Sequence, residues 1–157
     1  MNPLTNPDDQ NVLLEQTREN RVSEPANSGA AVYRANPERS LQLALAAARA
    51  AAENGGQDVV VMDMTGITAW FDYFVIATGS SRRQLQAMSD EIEQKLRIEL
   101  NDRRMHLDGS DDSRWIVLDY GTAVVHLFDD ETRKFYSLEA LWADSPKLDL
   151  TETLKGI

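Results

Sequence analysis

Tyr73-Phe74-Val75-Ile76-Ala77-Thr78-Gly79-Ser80-Ser81 is the stretch that decides the architecture of this chain. From Tyr73 to Thr78 the run is almost continuously apolar, and it is rich in aromatic and β-branched residues. A strand with one wet face alternates between apolar and polar residues. An unbroken apolar run of this length predicts a central strand covered on both faces. Gly79 breaks the strand, and a serine at 80 or 81 predicts the N-cap of a helix. Leu85, Met88, Ile92, Leu96 and Leu100 then recur at helical spacing. Asp90, Glu91, Glu93 and Lys95 lie on the other side, so a long amphipathic helix leaves this strand.

Working outward, Asn36 can cap a helix whose first position is Pro37, where a missing N–H costs nothing. Leu41, Leu45, Ala48 and Ala52 define its expected buried face, and Gly55-Gly56 ends it. Asp58–Met64 is short and β-branched, hence a strand, and Thr65–Thr68 is a connection. Downstream, Met105–Asp108 reads as a short strand, and Gly109–Ser113 as a loop. Trp115–Tyr120 is a strand, Gly121 a tight turn, and Thr122–Phe128 the returning strand. Glu131–Tyr136 starts the last helical piece or is a loop, and Leu138–Trp142 is short and helical. The tight Gly121 connection forces an antiparallel pair, while the long helix after Gly79 permits a parallel one. The expected fold class is therefore α/β (α+β): a single domain with a mixed sheet and flanking helices. Residues 36–144 form that domain. Residues 1–35 are dominated by Asn, Gln, Glu, Ser and Pro, and predict a disordered N-terminal tail in which Val12–Arg18 is a transient helical turn. Residues 145–157 read as a loose C-terminal tail.

Composition narrows the function. The chain has 157 residues, enough for one real core, and 42% of them are hydrophobic. Sixteen basic and 26 acidic residues give a net charge of −10. That argues against holding bare nucleic acid, which needs a basic surface. It suits a basic protein partner, although it also serves plain solubility. The absence of cysteine excludes disulfides, thiolate metal sites and cysteine nucleophiles. No segment approaches the ~20 apolar residues of a membrane span. Asp8, Asp9, Glu15 and Glu19, with no basic-then-apolar opening, disfavour a signal or transit peptide, so a cytoplasmic location is expected.

Few residues suggest chemistry. His106 and His126 are the only histidines. His126 shares a strand face with Val124 and Phe128, the pattern of a hydrogen-bonded, half-buried histidine rather than a ligand or base. Phosphate-binding and nucleophile-elbow motifs are missing. Gly79, Ser80 and Ser81 with Arg82 and Arg83 can serve as an anion site, but helix capping is the simpler reading. Strand alternation puts Trp115, Val117 and Asp119 on one face and the cleanly apolar Ile116 and Leu118 with Tyr120 on the other. The chain alone leaves Trp115 open between an interface anchor and core beneath a second layer.

Four spaced blocks carry a family resemblance. They are Asp72–Ser80, Trp115–Gly121, Val125-His126-Leu127-Phe128, and Phe135-Tyr136-Ser137-Leu138-Glu139-Ala140-Leu141-Trp142. Together, from about Ser40 to Trp142, they resemble the ribosomal silencing factor family, also called Iojap-related proteins. The resemblance implies a small α/β binding protein with an architecture related to the nucleotidyltransferase fold. It implies docking on the large-subunit ribosomal protein uL14, a block on subunit joining, and a homodimer in the free state. It also places the block from Trp115 to Asp119 in the region such proteins use to contact the ribosome. The candidate partner-binding residues are Trp115, Val117, Asp119, Tyr120, His126 and Tyr136. No catalytic residue, metal or cofactor is expected. The rival expectation is a nucleotide-binding or nucleotidyltransferase-type enzyme on the same fold. It needs a carboxylate pair on a strand soon after the Gly-Ser turn, whereas Asp111-Asp112 lies in a loop with no apolar flank. The N-terminal tail and the residues after Pro146 depart from the shared blocks.

Overall fold

Tyr73–Gly79 is strand β2, and every residue in it is buried. The computed structural model describes residues 36–109 and 112–157, so the tail expected over 1–35 lies outside the described residues, as does Asp111. β2 pairs antiparallel with β1 (Gln57–Asp63) and parallel with β5 (Ala123–Asp129). β5 pairs antiparallel with β4 (Trp115–Asp119), and β4 with the short β3 (His106–Asp108). The sheet is thus mixed, in the order β1-β2-β5-β4-β3.

Two long helices, α1 (Pro37–Glu53) and α2 (Arg82–Leu100), cover one face. Asn36 caps α1 by accepting from Arg39 N–H at 3.1 Å. The helix ends in a Schellman turn: Gly55, at φ +80°, lets Gly56 N–H reach Ala51 O at 2.8 Å. The buried face of α1 is turned from the one expected. Leu43, Ala44, Ala47, Ala48 and Ala51 are buried, while Leu41 and Leu45 sit at its shoulders and Ala52 is only half-buried. Small alanines let the helix approach α2 and the sheet closely, which larger leucines would prevent. α2 agrees with expectation: Ser81 caps it, and Leu85, Met88, Ile92 and Leu96 are buried.

Strand alternation sorts the sheet into two apolar layers. Val61, Tyr73, Val75, Ala77, Ile116, Leu118, Ala123, Val125 and Leu127 face the long helices. Met62, Phe74, Ile76, Val117, Val124 and Phe128 face the other way. The second layer is roofed by short pieces: Met64 and Phe71 before β2, Tyr136 of α3 (Asp130–Tyr136) and Leu138 of α4 (Leu138–Leu141).

The residues after Pro146, expected to be loose, lie along the outer edge of β1. Asp63 N–H donates to Pro146 O at 2.8 Å, and Leu148 N–H to Val61 O at 2.9 Å. Leu148 and Leu150 pack on the core, and Arg49 Nη1 donates to Thr153 O at 2.6 Å. Their binding surface is an unpaired strand edge that exists only once the sheet has formed. Local composition carries no trace of it. Among the described residues no helix is long and apolar enough to cross a membrane.

Candidate docking face

The site is built on the second apolar layer, where rings meet in a chain. Phe71 stacks on Phe74 with centroids 4.5 Å apart, and Phe74 meets His126 edge-on at 4.7 Å. Trp115 stacks on Phe128 at 4.8 Å and touches Tyr136 at 4.7 Å. α3 spans only 7 residues and cannot roof the whole face. Trp115, Trp70 and Trp142 are therefore left half-buried at its rim. Beyond them Phe135 is 54% exposed and Leu141 50% exposed. Phe135 rests edge-on against Tyr136 at 5.1 Å, so the aromatic layer continues from the core out to solvent.

Polar contacts fix the roof. Asp129 caps α3, accepting from Thr132 N–H at 2.8 Å. The Arg133 guanidinium donates to Glu139 Oε1 at 2.6 and 2.9 Å, to Thr78 Oγ1 at 2.8 Å and to Asp58 O at 2.7 Å. It thereby ties α3 and α4 to the ends of β1 and β2. Asp58 sits at a bulge in β1 with φ +49°, a conformation Asp tolerates better than most residues. Around the rim, Asp130 and Glu131 are exposed, with Lys134 2.8 Å from Asp130 and Arg114 3.1 Å from Glu131.

The structure gathers four of the candidate residues, Trp115, Val117, His126 and Tyr136, into this layer or its rim. Only Trp115 among them reaches solvent. Val117 is buried, and so is Tyr136, whose ring lies beneath Trp115 rather than at the surface. His126 is 2% exposed. Its Nδ1 accepts from the Trp115 indole N–H at 3.2 Å, and burial pushes its pKa down to about 3. The ring is thus neutral, with its proton on Nε2. Asp119 is buried at the end of β4, where Oδ1 accepts from Gly121 N–H at 2.7 Å and holds the turn that Gly121 makes at φ +84°. Tyr120 packs on the opposite side of the sheet, in the layer under the long helices. Burial pushes its hydroxyl pKa up.

Sequence reasoning passed over Phe135 and Leu141 as site residues. The signal was present: Thr132 and Tyr136 share the buried side of α3 at i and i+4, which turns Phe135 outward. The Gly79 turn is occupied by capping, since Ser81 Oγ accepts from Gln84 N–H at 3.1 Å and Ser80 Oγ donates to Gln84 Oε1 at 2.8 Å. Asp129 lies beside Gly79 in the parallel register, but Leu127 stands two residues before it, so β5 bears no carboxylate pair. Among the described residues no group of three or more His, Cys, Asp or Glu side chains is placed to hold a metal ion.

Comparison with known proteins gives one answer throughout. Residues 37–156 match the family model described as ribosomal silencing factor during starvation. The chain is 38% identical over 104 residues to a ribosomal silencing factor of Bacillus subtilis, covering 66% of this chain and 87% of that protein. It is 33% identical over 93 residues to a mouse protein named for mitochondrial assembly of the ribosomal large subunit, covering 57% of this chain and 40% of that one. A crystal structure of a Chromobacterium violaceum protein superposes with a TM-score of 0.62 at 30% identity, covering 66% of this chain and 85% of that one.

Proposed function

The chain belongs to the ribosomal silencing factor family, and from that premise we propose that it represses translation by binding the large ribosomal subunit through protein uL14, so that the small subunit cannot join. It acts by occupancy, in the cytoplasm, and carries out no reaction. The observation that carries this reading is the apolar rim where half-buried Trp115 and exposed Phe135 flank Tyr136, with exposed Asp130 and Glu131 on the same short helix as Phe135. An anchor of large apolar side chains with a charged border is how protein interfaces are commonly built. The net charge of −10 suits a basic ribosomal partner and would speed encounter with it. A homodimer of the free protein that uses the same rim would compete with the ribosome for it. A subunit-joining assay tests the reading. Large subunits incubated with the protein before small subunits are added should yield a smaller joined fraction on a sucrose gradient. An unchanged joined fraction at saturating protein would overturn it.

A further inference from the structure

Trp115 is half-buried at the rim of the aromatic layer, and its indole N–H is bonded to His126, which does not reach solvent. We propose that His126 is a positioning residue: it holds the Trp115 indole in the orientation that presents its outer edge to the partner, and makes no contact with that partner itself. The inference rests on the docking role argued above.

The geometry supports this in three ways. Trp115 stacks on Phe128 and leans on Tyr136, with centroids 4.8 and 4.7 Å away. Stacking between flat apolar rings tolerates sliding and rotation, so it leaves the direction of the indole's free edge loosely set. The indole has a single polar atom, and its N–H donates to His126 Nδ1 at 3.2 Å. A directional bond of this kind selects one orientation from those that stacking allows. Lastly, His126 is itself held. It lies on the central strand β5 with 2% exposure, its ring 4.7 Å from Phe74 on one side and 6.1 Å from Phe128 on the other. Its Nε2 finds no partner among the described residues. The Trp115 bond is then the one that fixes its tautomer. A buried acceptor of fixed place and fixed tautomer acts as a locating pin for a side chain at the surface.

A double-mutant cycle in the full-length chain tests this, read out as affinity for purified uL14. His126→Phe fills the space but offers no acceptor. His126→Asn keeps a carbonyl oxygen near the place of Nδ1. Trp115→Phe keeps a ring and removes the donor. The expected results are a loss of about 10-fold for His126→Phe and of no more than about 3-fold for His126→Asn. On the Trp115→Phe background, His126→Phe should add almost nothing, because the bond it would break is already gone. Equal losses on both backgrounds would overturn the proposal, since His126 would then act through packing or direct contact. A second readout in the free protein is independent of binding: solvent exchange of the Trp115 indole proton by NMR. Slow exchange in the native chain and in His126→Asn, lost in His126→Phe, supports the pin even if the native chain fails to bind uL14, a failure that falls on the docking role instead. Fast exchange in the native chain refutes it.

Discussion

At the scale of single residues, His126 has the clearest thermodynamic consequence. Its pKa in the fold is lowered to about 3 from an ordinary 6.5, and burial is the cause. Linkage gives the sign. The unfolded chain takes up a proton as pH falls below about 6.5, the folded chain does not, and stability present above that pH is lost progressively toward about 3. The charged groups on the surrounding elements are Asp119 on β4, Asp129 at the end of β5, Asp130, Glu131 and Lys134 on the exposed side of α3, and the Arg133–Glu139 pair across α3 and α4. None of them contributes to the shift. Replacing His126 with Leu should therefore remove a slope of about 1.4 kcal/mol per pH unit between roughly pH 6 and 4. Urea denaturation of both proteins across that range measures it, and parallel curves would contradict it. Tyr120 makes the opposite point. Its hydroxyl is buried with no partner among the described residues. Tyr120→Phe should be neutral or stabilising by up to about 1 kcal/mol, with binding to uL14 unchanged. A loss of about 2 kcal/mol or more on that substitution would mean that the hydroxyl has a bound partner, such as water. These two residues also mark what the sequence made legible. Alternation of period two assigns each side chain of β4 and β5 to the correct face. It cannot say how deep each face lies, and for that reason the candidate contact residues Val117, Asp119 and His126 on these strands prove to be buried.

At the scale of elements, the two long helices and the strands are readable because each carries its own local signal: the cap at Asn36, the apolar run of β2, the turn at Gly121; Glu131–Tyr136 reads equally as helix or loop, and the structure makes it α3. What was not readable depends on partners distant in sequence. The packed side of α1 is set by how closely alanines let α2 and the sheet approach, and the order of residues 146–150 is set by the edge of β1. Arg133 is the third case, since its charge alone reads as surface. Its guanidinium joins α4, β1 and β2 through Glu139, the Asp58 carbonyl and Thr78. Arg133→Ala should cost about 2 kcal/mol, because it leaves a half-buried carboxylate and a carbonyl without their donor. It should also loosen the roof of the aromatic layer. Thermal unfolding gives the first effect, and hydrogen exchange in residues 130–142 gives the second. A variant with native stability would show that α3 is held by its apolar side alone.

At the scale of the whole molecule, one sheet supports two apolar layers, to which the proposed function gives different tasks. The layer under α1 and α2 holds most of the buried apolar side chains and carries the stability. The aromatic layer is thinly roofed, and its rim remains open. Trp115→Ala separates these roles. Truncating an interface anchor typically costs ~2 kcal/mol or more of binding, whereas a fully enclosed tryptophan would cost ~3–5 kcal/mol of stability. Because Trp115 is half-buried and stacked, some stability should be lost, but the larger loss should appear in affinity for uL14. A folded variant that binds like the native chain would move the contact off β4. The family assignment was legible in the sequence because it rests on four blocks, and those blocks lie in β2, β4, β5 and the two short helices that build the aromatic layer. The rim itself was only partly legible, since exposure of Phe135 and Leu141 depends on how short α3 and α4 are. The central claim, recognition of one ribosomal subunit, is tested most directly by sedimenting the full-length chain separately with purified large and small subunits. The chain should pellet with the large subunit, stay in the supernatant with the small one, and be released by excess free uL14; pelleting equally with both, or with neither, would contradict the account.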